Sequence, residues 1–154
     1  MAAFLGEIAC KIDPKCRLAI PARFLKQIPD ETPQNWVVNR GFEKCLVLYT
    51  ATDWQSETTQ FAHLNLYEPE QRTFARLFFR GASELALDEQ NRILLPKRLM
   101  EYADLDKDVV LVGYMNRIEI WNETIYDSLM STDAENYTIL AKKIMGTPAN
   151  SPEK

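Results

Sequence analysis

Two aspartate–arginine pairs of identical spacing hold most of the chemistry this chain can offer. Asp13 is followed four residues later by Arg17 in KIDPKCRLAIPARF (residues 11–24), and Asp88 by Arg92 in LALDEQNRILLPKRL (residues 85–99). An aspartate where the chain leaves a strand can accept bonds from backbone N–H groups two or three residues on and so fix a turn. It can also steer the arginine that opens the return strand, leaving the remaining guanidinium donors for phosphate oxygens or for guanine O6 and N7. The plainer alternative is a turn-stabilising ion pair. An exposed pair contributes at most about 1 kcal/mol, a weak reason to write one twice.

The elements that must carry these pairs are duplicated as well. Gly6, Asp13, Arg17, Pro21 and Arg23 recur 75 positions later as Gly81, Asp88, Arg92, Pro96 and Arg98, and Ile12, Leu18, Ile20 and Phe24 are answered by Leu87, Ile93, Leu95 and Leu99. Further on the offset is 72, so that Val37 and Val38 meet Val109 and Val110, and Leu46 meets Ile118. In each copy two short apolar segments flank the Asp turn and read as a hairpin, GEIACKI with CRLAI and SELAL with RILLP. Pro21 and Pro96 suit the first position of a short helix, where the missing N–H costs nothing. Two strands follow, WVVNR with CLVLY and DVVLVGY with RIEIW, the second pair joined by a short Met-Asn turn.

Each copy closes in helix. Thr52 or Asp53 is expected to cap a segment through Phe61, Pro69 opens a helix ending on Gly81, Asn122 caps ETIYDSLM, and Thr132 with Glu135 forms a capping box. The organisation expected is a first swapped-hairpin repeat over 5–50, connecting helices over 51–80, a second repeat over 81–128, a C-terminal helix over 129–146 and a mobile tail over 147–154. Because an isolated hairpin is marginal in water, the two copies should interleave about one pseudo-twofold core of Ile8, Ile12, Leu18, Ile20, Leu85, Leu87, Ile93 and Leu95. The fold class is α+β, with a β-barrel-like core and peripheral helices. Strand alternation turns Arg17 and Arg92, with Ala19 and Leu94, away from that core.

Composition narrows the function classes. The chain has 154 residues, 46% of them hydrophobic, enough for a real core. No apolar run is long enough to span a bilayer, and Glu7 and Lys11 come too early for a signal-peptide core, so a protein of the cytoplasm is expected, with no membrane partner. Cys10, Cys16 and Cys45 show no CxxC spacing and read as free thiols, and a single histidine, His63, leaves structural zinc without ligands. Asp104, Asp106 and Asp108 lack the glycine and closing Glu of a calcium loop and read as a solvated turn. There is no Walker A loop, no GxGxxG and no nucleophile–base–orienter set, so no metal, cofactor or catalytic residue is expected, and the protein is not read as an enzyme. The formal charge is −4, yet Lys11 to Lys26 carries a local +4, against +1 from Asp88 to Arg98. The aromatic stripe Phe74, Leu77 and Phe78 and the tryptophans Trp36, Trp54 and Trp121 read as packing residues. Lys142 and Lys143 complement the end of the last helix.

Taken jointly, KIDPKCRLAIPARF, NRGFEKCLVLYTATDW, ARLFFRGASELALDEQNRILLPKRL and GYMNRIEIWNETIYD resemble the MraZ family of the swapped-hairpin AbrB-like superfamily, over roughly residues 5 to 128. The resemblance implies a bacterial regulator of the division and cell-wall gene cluster, acting in the cytoplasm and nucleoid. It implies a homo-oligomeric ring that binds tandem repeats of double-stranded DNA in its own promoter. It also implies that Asp-x-x-x-Arg loops meet the DNA, through Arg17 and Arg92, with Asp13 and Asp88 orienting the loops; Lys15 in the first loop is a further candidate contact. The family's glycine before each arginine is replaced here by Cys16 and Asn91. Asn tolerates a left-handed backbone better than Cys, so the first loop is expected to differ in shape from the second. The competing reading is a protein–protein assembly module without specific DNA binding.

Overall fold

A computed structural model describes residues 1–29 and 35–146. The expected tail at 147–154 lies outside the described residues. Two compact units divide the chain, one spanning 1–123 and the other 124–154.

The first unit is built on eight strands: β1 (Phe4–Lys11), β2 (Arg17–Ala19), β3 (Asn35–Arg40), β4 (Leu46–Thr50), β5 (Ser83–Ala86), β6 (Arg92–Leu94), β7 (Asp108–Met115) and β8 (Arg117–Asn122). Six form an antiparallel sheet in the order β1-β7-β8-β4-β3-β5, and β2 pairs with β6 in a separate ribbon. Exchanging each strand for its counterpart in the other repeat turns that order into its own reverse. Two pairs are their own counterparts under the exchange, Leu18 with Ile93 in the ribbon and Val47 with Glu119 in the sheet. The pseudo-twofold therefore passes through both layers, as the duplicated sequence demands.

The hairpins are opened rather than closed. β1 pairs along its whole length with β7 of the other repeat, β5 pairs with β3, and a single bridge from Ile12 to Leu18 joins the arms of the first expected hairpin. The swap has a physical cause. A closed two-stranded hairpin would leave one apolar face wet, whereas crossing over lays Leu18 against Ile93, both with no exposed surface. The sheet does not close into a barrel, because β1 and β5 remain its edges. Pairing also shifts one alignment: Val38 pairs with Leu48 as Leu111 pairs with Ile120, so Leu111, and not Val110, is its structural counterpart.

The ribbon packs on one face of the sheet around Ile12, Leu18, Ile20, Phe24, Trp36, Val38, Leu46, Leu48, Ile93, Leu95, Leu111, Ile118 and Ile120. Ile8, Leu85 and Leu87, placed in the core by the sequence, are only partly buried at its margin. Phe4 joins Trp36 in a stacked contact and Phe24 edge-on, with ring centroids 6.1 and 5.8 Å apart. Each such large side chain contributes about 1.5–3 kcal/mol by leaving water.

The short helices α1 (Ala22–Leu25) and α4 (Lys97–Tyr102) begin one residue later than expected, since Pro21 and Pro96 take extended caps with ψ of 140° and 136°. The helix α2 (Ala51–Thr59) is capped by Thr50, whose hydroxyl accepts the Asp53 N–H at 3.1 Å; it ends earlier than expected, in a 3-10 turn over Gln60–His63. Asp53 is instead a buried acceptor, taking the Ala2 N–H at 3.0 Å. The helix α3 (Pro69–Phe79) brings Phe78 parallel to Trp54, 5.8 Å away, and tilted against Phe61, 4.4 Å away. Its stripe is not fully buried, for Phe74 and Leu77 keep 41% and 51% of their surface exposed, because the helix covers one end of the sheet's second face instead of a closed core. Trp36 and Trp121 are buried as expected.

The helix α5 (Glu123–Leu129) starts directly after Asn122. In the second unit α6 (Ala134–Met145) is capped by Asp133, whose carboxylate accepts the Asn136 N–H at 2.8 Å, displacing the expected Thr132 box.

Candidate nucleic-acid interface

Both Asp-x-x-x-Arg loops fold by the same hydrogen bonds. Asp13 Oδ1 accepts the N–H groups of Lys15 at 2.9 Å and Arg17 at 2.8 Å, while Oδ2 accepts Arg17 Nε at 2.7 Å. Asp88 takes Gln90, Arg92 and Arg92 Nε at 2.8, 2.9 and 2.8 Å. The turn is closed by Cys16 N–H donating to the Asp13 carbonyl at 2.9 Å, and by Asn91 N–H donating to Asp88 at 3.0 Å. These donors explain the acidity of the two carboxyls. The Arg17 N–H, the guanidinium and the Lys15 N–H hold Asp13 below the ordinary carboxylate range, and Arg92 with Gln90 does the same for Asp88.

The expected difference between the loops is absent. Cys16 and Asn91 both take left-handed backbone, with φ of 66° and 59°. A reciprocal lock holds them there: the Cys16 carbonyl accepts Leu95 N–H, and the Asn91 carbonyl accepts Ile20 N–H, each at 2.9 Å. Each loop apex is thus tied to the other repeat's strand, and the left-handed strain at Cys16 is offset by that bond.

On the ribbon Arg17 stands opposite Leu94 and Ala19 opposite Arg92. With Leu18 and Ile93 turned inward, these four make up the outward surface, where Ala19 and Leu94 are exposed. The Arg17 and Arg92 side chains keep 33% and 27% of their surface in solvent. Only Nε of each is used, so among the described residues the Nη groups meet no protein acceptor. Lys15 is exposed in the first loop, where the second carries Gln90.

Other sequence candidates resolve differently. Lys11 is withdrawn from the basic cluster by Asp108, 2.6 Å away across the β1–β7 pair, which raises the lysine and lowers the aspartate. Asp108 opens β7 instead of belonging to a turn. Burial pushes the Cys45 thiol up to about 12. No group of metal-ligating side chains is present among the described residues, and none of their helices is long and apolar enough to cross a membrane. The sequence gives no hint of the carbonyl lock, since backbone groups carry no residue signature.

Fold and ribbon together define a class: a duplicated swapped-hairpin protein of the AbrB-like kind, displaying paired carboxylate-held arginines. Comparison with known proteins narrows this. A family model described as "MraZ protein, putative antitoxin-like" matches residues 3–77 and again residues 78–144. A protein of Cytophaga hutchinsonii named Transcriptional regulator MraZ is 41% identical over 145 residues, covering 94% of this chain and 96% of the relative. Proteins of the same name from Desulfitobacterium hafniense and Moorella thermoacetica are 38% and 39% identical over 142 residues, covering 92% of this chain and 96% of each. The chain belongs to the MraZ family. Its relatives carry the name of a regulator and not of an enzyme, in agreement with the reading of the sequence.

Proposed function

We propose that this chain is a transcriptional regulator that binds duplex DNA sequence-specifically through the Asp-x-x-x-Arg loops. Its site is the tandem repeats of its own promoter, ahead of the division and cell-wall gene cluster, and it acts in the cytoplasm at the nucleoid. The observation that supports this most is the outward ribbon surface, with two arginines locked at Nε and open at Nη. A two-stranded ribbon fits the major groove, and a guanidinium there can take guanine O6 and N7 together. Arg17 and Arg92 are diagonal neighbours on the ribbon, and Cα atoms so related lie roughly 7–8 Å apart, close enough to read neighbouring base pairs. Lys15 adds a phosphate contact on the first loop, and Asp13 and Asp88 act as positioning residues.

The acidic net charge is compatible with this reading because the contact is local and multiplied. A homo-oligomeric ring would present one ribbon per subunit, and repeated DNA sites turn weak contacts into avidity. Assembly is favoured by exposed apolar surface on α6, where Tyr137, Leu140 and Ile144 are 70%, 54% and 63% exposed along one side.

Retention of the protein on duplex bearing the gene's upstream repeats, compared with scrambled duplex over a range of salt, tests the reading. Preference for the repeats is expected, with log K falling by about 0.9 per phosphate contacted as log salt rises. Equal binding to both duplexes at every salt concentration would favour the assembly module instead.

A further inference from the structure

Away from the ribbon, a cavity of about 560 Å³ opens between β3, the end of α3 and α4 in the first unit. Arg40, Arg80 and Arg98 line it, against one carboxylate, Glu101. None of Arg80, Arg98 and Glu101 is in an ion pair among the described residues. Arg40 is fixed in place: its Nη2 donates to the Leu77 carbonyl at 2.6 Å, and its guanidinium lies 5.1 Å from the centre of the Tyr102 ring. Gly81 lets its side chain pass, since a Cβ there would come within 2.7 Å of Arg40 Cγ. Yet Arg40 Nε is buried with no hydrogen-bond partner among the described residues, an arrangement that is destabilising unless an acceptor is supplied.

The fold does not demand two of these charges, Arg40 and Arg80, whereas Arg98 recurs as Arg23. At the corresponding place in the other half, Leu5 stands for Arg80, and the strand pairing sets Gly113 where Arg40 stands. Three guanidinium groups carry more positive charge than one carboxylate can balance, whereas phosphate groups carry more negative charge and three or more acceptor oxygens in the geometry arginine forks match. We propose that the Arg40–Arg80–Arg98 cavity is a binding site for phosphate oxyanions, separate from the ribbon. The phosphate belongs either to a small phosphorylated molecule or to the backbone of bound DNA.

Calorimetric titration of the full chain with inorganic pyrophosphate at low salt, without DNA, examines the first source. The wild type should bind, the double variant Arg80→Gln/Arg98→Gln should lose at least about tenfold in affinity, and Arg76→Gln, an exposed arginine of α3 outside the cavity, should match wild type. Both altered side chains are exposed, so circular dichroism should show the fold unchanged. Duplex titrations of the same proteins examine the second source: a salt slope shallower by about 0.9 per lost contact in the double variant assigns the phosphate to DNA. The proposal is overturned if the double variant equals wild type in both titrations. The pyrophosphate arm uses no DNA, so its outcome is independent of the proposed regulatory function.

Discussion

Replacing Arg17 by alanine separates a reading guanidinium from a structural one. Arginine has five N–H donors, of which Asp13 engages only the one at Nε, so four remain for DNA. A bidentate base contact uses two of them and is worth about 1–3 kcal/mol, so Arg17→Ala should weaken binding to the promoter repeats by about 5- to 150-fold per ribbon engaged. Because the loops share one bonding pattern about the pseudo-twofold, Arg92→Ala should cost a similar factor. The salt dependence refines the answer: loss of a base contact leaves the slope nearly unchanged, whereas loss of a phosphate contact flattens it by about 0.9. Asp13→Asn gives a third point. Its oxygen can still accept the two backbone N–H groups while its amide confronts Arg17 Nε, so the turn persists and the guanidinium is released. Affinity should then fall between wild type and Arg17→Ala. Fluorescence anisotropy with labelled repeat duplex, beside size-exclusion chromatography to verify the oligomer, reads all three. Unchanged affinity of Arg17→Ala and Arg92→Ala with the assembly intact would refute the assignment of both arginines.

Leu18→Ala, which removes a fully buried side chain on the pseudo-twofold, should lower stability to urea by about 2–5 kcal/mol. Cys16→Gly should raise stability by up to about 1 kcal/mol by relieving left-handed strain, less than the strain itself because glycine gains freedom when unfolded; Asn91→Gly should change little. The Asp13 and Asp88 carboxyls titrate below their unfolded value, so the order they give the loops is complete above the ordinary aspartate range and is lost as pH falls through their lower folded values. DNA binding should therefore hold steady on acidification from neutrality to about pH 5, and chemical shifts of the Lys15, Arg17, Gln90 and Arg92 amides should move only at lower pH. With its thiol pushed up to about 12 by burial, Cys45 should stay unmodified by iodoacetamide at pH 8 in the native protein and react once urea unfolds it.

The duplication, the inward and outward residues of the ribbon and the two Asp turns were all readable from residue types, because period and spacing are properties of the chain itself. Of the strand pairing only the interleaving of the two repeats was legible, and not which strands meet. Gly6–Ile12 and Cys16–Ile20 look like partners when only neighbours are considered, and the actual partner of β1 lies a full repeat away, where burial of Leu18 against Ile93 outweighs local closure. Helix starts shifted by a residue or two for a related reason: Thr50, Thr52 and Asp53 are all competent caps, and the end of β4 decides among them. The loop at Cys16 defied its residue preference because a backbone acceptor there bonds to a strand of the other repeat. Likewise Arg40, Arg80 and Arg98 meet in one cavity although nothing in their spacing marks them as neighbours.

The interleaved sheet makes the two repeats mutually dependent. A polypeptide cut to one repeat would lack partners for its outer strand and for its half of the ribbon, and could recover them only from a second copy of itself. Joining the halves in one chain releases them from identity: Lys15 has Gln90 as its counterpart, and Ala19 has Leu94, about an axis that is otherwise kept. A surface that began with equal sides can in this way come to suit a target whose two sides differ.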